Sequence, residues 1–343
     1  MSVAQLNYST HAAEQLAALA ADLEVQAPLC AQLFRFLRGC LLEAPVFVLP
    51  EAGAVLGPVQ EVPYTQFIGM GRPPFPATVI EFEVPRDALP ISVNAPHFSP
   101  KRLAVMLDLS DAKMIALHRR KGLPDVAGEL ARLADSGRPA VLVWPIDFWS
   151  AATLREQNCG DRDTWMPPSF GIMVLTDEEA AKKASRPQPE LPSKSQFEAE
   201  LVPAGELGLL ELDRHPTGEN LIQRFADSAS LEVAASVGLM AALSCKNIQV
   251  HRQAVDPKLN KARISRGRQP FRDFHVLTVD PFEPRGSAEP GAPTGRRVAE
   301  HLRRGHIRHY PTHNTWINHV IVNAGRNLPR AEKSYRVRAG AVR

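Results

Sequence analysis

Cysteine is scarce in this chain. There are four, Cys30, Cys40, Cys159 and Cys245, widely separated and with no C-x-x-C among them. That excludes a disulfide framework and a zinc ribbon, and it fits single thiols in a reducing compartment. No apolar run approaches the length of a membrane span, and residues 1–23 lack the basic start and continuous apolar core of a signal peptide. A soluble cytoplasmic protein with no membrane partner is expected. There is no internal repeat, no G-x-x-x-x-G-K-[ST], no G-x-G-x-x-G opening a helix and no G-x-S-x-G. These gaps weigh against nucleotide hydrolysis, a dinucleotide enzyme and a serine hydrolase. His301, His306, His313 and His319 have no Cys or carboxylate at ligand spacing, and H-E-x-x-H is missing, so neither metal nor cofactor is expected.

What the chain does contain is 343 residues, enough for two domains with separate cores, and 30 prolines, which favour edge strands and irregular connections over a helical bundle. The net charge of +3 conceals a split. Residues 251–343 hold 19 Lys and Arg against 7 Asp and Glu, a balance of +12; residues 1–250 hold 21 against 30, a balance of −9. A basic module behind an acidic body is the asymmetry expected when one part meets an anionic polymer. The competing reading is that the two parts neutralise each other across an internal interface.

Apolar periodicity predicts a helix over 10–23 capped by Thr10, and a second over 28–42 opened by Pro28. Alternation predicts strands at 78–84, 101–109, 140–144, 170–175, 197–202, 207–212 and 274–279. A short helix is expected at 125–136 and a long core helix at 217–246, with an exposed connection at 177–195 and a flexible insertion at 280–295. The fold class is α+β, with a mixed or antiparallel sheet, peripheral helices and a C-terminal antiparallel β-module. Residues 1–250 form the acidic body and 251–343 the basic module. Glu81, Glu83 and Asp108 invite a carboxylate-site reading, but exposed positions on half-buried strands explain them better.

Residues 296–338 concentrate the chemistry. In the predicted hairpin, Arg304, His306, Arg308 and Tyr310 share one face of a strand too polar to be buried on both sides. Trp316 begins the partner strand. Just upstream, residues 258–272 are dense in cations and are expected to dock beside the hairpin. Three readings follow. In the first, these side chains serve internal ion pairs. In the second, DNA or RNA binds through Lys258, Lys261, Arg263, Arg266, Arg268, Arg303, Arg304 and Arg308, with Tyr310 and Trp316 stacking on bases. In the third, a metal-independent endoribonuclease uses His306 as acid or base, supported by Arg304, Arg308 and Tyr310.

The order KLNKARISRGRQPFRDFHVLTV, HLRRGHIRHY, WINHVIV and YRVR, sharpest over 258–338, resembles an uncharacterised group of phage and mobile-element proteins. PPFPATVIEFEV and SPKRLAVMLDL are similar to the same group's amino-terminal part. The resemblance implies an accessory protein in the bacterial cytoplasm and brings no catalytic residues. In that context a non-enzymatic inhibitor of a host defence or replication protein is a further expectation.

Overall fold

The computed structural model describes residues 6–56, 72–85, 99–109, 140–175, 199–214, 229–279, 301–303, 306–317 and 320–322. The expected helix at 125–136, the connection at 177–195, the insertion at 280–295 and the first part of the 217–246 helix lie outside them.

Eight strands form one mixed sheet in the order β8-β7-β4-β3-β2-β1-β10-β9. They are β1 (Val46–Val48), β2 (Ala77–Glu83), β3 (Lys101–Asp108), β4 (Ala140–Pro145), β7 (Phe170–Leu175), β8 (Ala199–Pro203), β9 (Ile248–Gln253) and β10 (Phe274–Val279). Strand β1 runs parallel to both β2 and β10, and the other neighbours are antiparallel. Helices α1 (Tyr8–Asp22) and α2 (Pro28–Glu43) cover one face; α5 (Ser230–Leu243) covers the other. Short pieces complete the described set: a single 3-10 turn (Glu51–Gly53), β5 (Asp147–Trp149), α3 (Ala151–Glu156), β6 (Thr164–Met166), α4 (Gly205–Arg214), α6 (Pro257–Ile264), β11 (His301–Arg303), β12 (His306–His309), β13 (Asn314–Ile317) and β14 (Val320–Val322). The α+β class and the C-terminal antiparallel strands expected from the sequence are present.

The central strands read as continuous apolar runs because both their faces are buried. On β3, Leu103, Val105 and Leu107 meet α1 and α2, while Ala104 and Met106 meet α5. Trp144 on β4 is fully buried, and Gly171 on β7 permits it: a Cβ there would stand 2.8 Å from the indole.

Double-sided burial corrects the reading of the β2 and β3 carboxylates. Glu81 is 1% exposed and Asp108 is 8% exposed. Glu81 has a structural task. Helix α1 starts after Asn7, which sits at φ 59° and gives no side-chain cap. Glu81 Oε1 supplies the missing acceptor, taking the Ser9 N–H at 2.8 Å. Burial pushes its pKa up, against the pull of the Ser9 and Tyr8 contacts and Arg272. Thr10, expected as the cap, lies inside the helix and is buried. Beside it, the Tyr8 hydroxyl donates to Glu83 at 2.6 Å.

Two further corrections concern elements. Residues 207–212, expected as a strand, belong to α4, whose start is set by Gly205 at φ +57°. The Glu206 carboxylate takes the Leu29 and Cys30 N–H groups at the start of α2, which ties the two helices together. The boundary expected at residue 250 falls inside β9, and β9 and β10 are members of the main sheet.

Candidate nucleic-acid interface

Helix α6 and the chain returning to β10 form a braced loop. Pro257 occupies the first helical turn, and the Asp256 carboxylate accepts from the Lys258 N–H at 2.8 Å. Gly267, at φ +67°, turns the chain after the helix, and the Arg268 N–H closes onto the Arg263 carbonyl at 3.0 Å. Asn260 then staples the two limbs. Its Nδ2 donates to the Phe271 carbonyl at 2.8 Å, and its Oδ1 accepts from the Phe271 N–H at 2.7 Å.

Arg263 holds this loop on α1. Its Nε donates to the Gln269 carbonyl at 2.6 Å, and its Nη2 donates to Glu14 Oε1 at 2.7 Å. Its guanidinium lies 3.9 Å from the centre of the Phe271 ring. It is 8% exposed. Arg263 is therefore committed to holding the fold, which leaves it buried and not at the surface where a phosphate contact was expected. Glu14 also accepts from the Gln269 N–H at 3.2 Å and stands 3.6 Å from Arg268. Burial and the nearby Arg263 charge lower the pKa of His11, which meets Phe271 edge-on.

The remaining cations of the loop face outward. Lys258, Lys261, Arg266 and Arg268 are all exposed. Arg268 keeps 56% of its side chain in solvent despite Glu14. Further along, Arg272 donates to the Leu41 carbonyl at 2.6 Å, and burial lowers its pKa. Arg252 on β9 is spoken for by Asp273, at 2.6 Å, whose own pKa is lowered by the Val255 N–H and by Arg252.

The hairpin forms as expected, β12 against β13, with Ile307 opposite Trp316. Those two side chains enter the core on the α5 face, and Trp316 is 5% exposed. Asn247 clamps the Trp316 backbone in both directions, at 3.0 Å and 2.9 Å. Trp316 is thus an anchor and is not available for base stacking. Arg308 is exposed, over the Tyr310 ring at 5.1 Å; Tyr310 is half-buried and stacked on His313 at 4.7 Å between ring centres. His306 pairs with Ile317 at the start of β12, Arg303 pairs with Val320 at the end of β11, and Arg304 lies outside the described residues. Of the four residues expected in the ribonuclease site, Arg308 and Tyr310 are the two whose side chains are described, and they lie together.

Loop and hairpin do not sit side by side, which corrects the sequence expectation. The α6 loop rests on α1, on one face of the sheet, and the hairpin packs with α5 on the other. Edge strand β9 joins them. It begins beside the hairpin, where the Lys246 N–H bonds the Asn314 carbonyl at 2.9 Å, and it ends just before α6. Its residues 249–253 are exposed.

Glu14 is the residue that sequence reasoning missed. Nothing in an alanine-rich amphipathic helix singles it out as the partner of a cation some 250 positions away. Among the described residues no helix is long and apolar enough to cross a membrane, and no group of three or more His, Cys, Asp or Glu could hold a metal ion. No protein-family model, curated protein or solved structure matches the chain.

Proposed function

We propose that the chain is a nucleic-acid-binding accessory protein whose phosphate-contacting surface is the braced α6 loop, with Lys258, Lys261, Arg266 and Arg268 as the contacts. The observation that carries this reading is a contrast within one short segment. Arg263 is buried to hold the loop in shape, while four cations at 258–268 face solvent on a scaffold stapled by Asn260 and closed at Gly267. A charged surface on a rigid support loses little side-chain and loop freedom on binding. The outward face of the hairpin, with Arg308 and Tyr310, is a second and smaller contact for phosphate and base.

Four phosphate contacts predict a slope of about −3.6 in log K against log salt on duplex DNA, or a loss of roughly 10²-fold in affinity between 50 and 200 mM salt. Titration of DNA and RNA at several salt concentrations tests this. Weak binding that ignores salt rejects it.

A further inference from the structure

Three ionisable side chains outside that interface converge within the molecule. Arg102 lies on β3, Glu232 in the first turn of α5, and Asp147 at the start of β5. The β3–β4 ladder pairs Ala104 with Pro145, and the Ile146 N–H bonds the Leu103 carbonyl at 2.8 Å. Continuing that register brings Asp147 alongside Arg102 where the ladder ends. Arg102 Nη1 donates to Glu232 Oε1 at 3.0 Å. Arg102 is 9% exposed and Glu232 is 1% exposed; Asp147 is half-buried. The second oxygen of Glu232 is sequestered too, and among the described residues no donor reaches it.

Among the described residues, two carboxylates thus face one guanidinium. Interiors tolerate an uncompensated negative charge poorly, and a proton removes it. Arg102 already donates to Glu232, so the proton belongs to Asp147. Burial first, and then the charge of Glu232, push the Asp147 carboxyl up to about 7, against the pull of Arg102. Among the described residues, the neighbouring charges point elsewhere. Lys101 lies over the Phe148 ring, on the α1 face. Glu81 and Glu83 bond Ser9 and Tyr8 on that same face. Glu51, on the turn that meets α5, is exposed. Neither β4 nor the rest of α5 carries an ionisable group, and His251 and Arg252 of β9 are exposed.

We propose that Asp147, Glu232 and Arg102 form a proton-operated latch that holds the first turn of α5 against the end of the β3–β4 ladder. With Asp147 protonated, Arg102 keeps its bond to Glu232 with no second carboxylate charge from Asp147 drawing on it. When Asp147 ionises, both carboxylates draw on one guanidinium and the first turn of α5 loosens. Between the ordinary aspartate value of 3.8 and about 7, the folded chain holds a proton that the unfolded chain has released. Stability therefore falls as pH rises through that window, and the loss is complete above it.

The test compares thermal unfolding of wild type and Asp147→Asn between about pH 4 and pH 8. The variant, neutral throughout, should gain on wild type as pH rises and then keep a constant lead. Amides in the first turn of α5 should exchange faster in wild type than in the variant at the alkaline end. A stability difference that does not change with pH overturns the latch. A carboxyl-carbon NMR titration of wild type reads the same claim without any substitution: one aspartate should titrate near 7, and a full set titrating below about 5 overturns it.

Discussion

The α6 loop and the β12–β13 hairpin come from the same basic quarter of the chain, yet opposite means hold them in place. Polar bonds brace the loop: Arg263 to Glu14 and Gln269, and Asn260 to Phe271. The hairpin is seated by apolar contact, with Ile307 and Trp316 inserted beside α5. The difference decides what each can offer a partner. The loop uses one cation internally and leaves four in solvent, whereas the hairpin commits its tryptophan to the core, leaves Arg308 exposed and keeps Tyr310 and His313 half-buried. Among the described residues, the cations of the α6 loop and of the hairpin are therefore not one patch; the loop sits on the α1 face of the sheet and the hairpin on the α5 face.

Substitutions can break this comparison, starting with the largest expected effect. Trp316→Ala removes the hairpin's anchor and should cost about 3–5 kcal/mol in denaturant unfolding. Salt-dependent binding by the loop should survive wherever the variant stays folded. If that binding disappears with the hairpin, the two elements do not act separately. Arg263→Ala should cost less, about 2–3 kcal/mol, because Glu14 keeps the Gln269 N–H and Arg268 as partners. Its larger signature should be functional, since a loop freed from α1 no longer presents its cations in one arrangement. Binding that weakens while the salt slope stays constant would show lost organisation with no lost contact. Arg252→Ala is the smallest. Its exposed pair with Asp273 should contribute under about 1 kcal/mol, and a greater loss would mean that this edge carries more of the fold than its exposure implies.

The strands were readable wherever alternation or an unbroken apolar run met ordinary β-propensity, as in 101–109 and 140–144. Strand β9 was not, because it is an exposed edge whose Gln249, His251 and Gln253 present no buried face to the pattern. Residues 207–212 misled in the other direction. Leu209 and Leu210 are 45% and 53% exposed on a helix, so their apolar character does not mark a buried strand. In the candidate interface, Arg263 and Arg266 are the same residue type one helical turn apart, one buried and the other exposed. Only the position of α1, set by the whole sheet, separates them. Glu81 shows the same limit. A carboxylate in an alternating strand looks solvent-facing until the neighbouring layer places a helix start above it.

The central claim is that the α6 cations are displayed to an outside polyanion while Arg263 holds the fold. It is tested most directly by the salt slope of nucleic-acid binding for wild type and for the Lys258→Ala/Lys261→Ala/Arg266→Ala variant, with unfolding measured in parallel. The predicted result is a slope shallower by about 2.7 in the variant, at stability unchanged to within about 0.5 kcal/mol. An unchanged slope in a folded variant would contradict it.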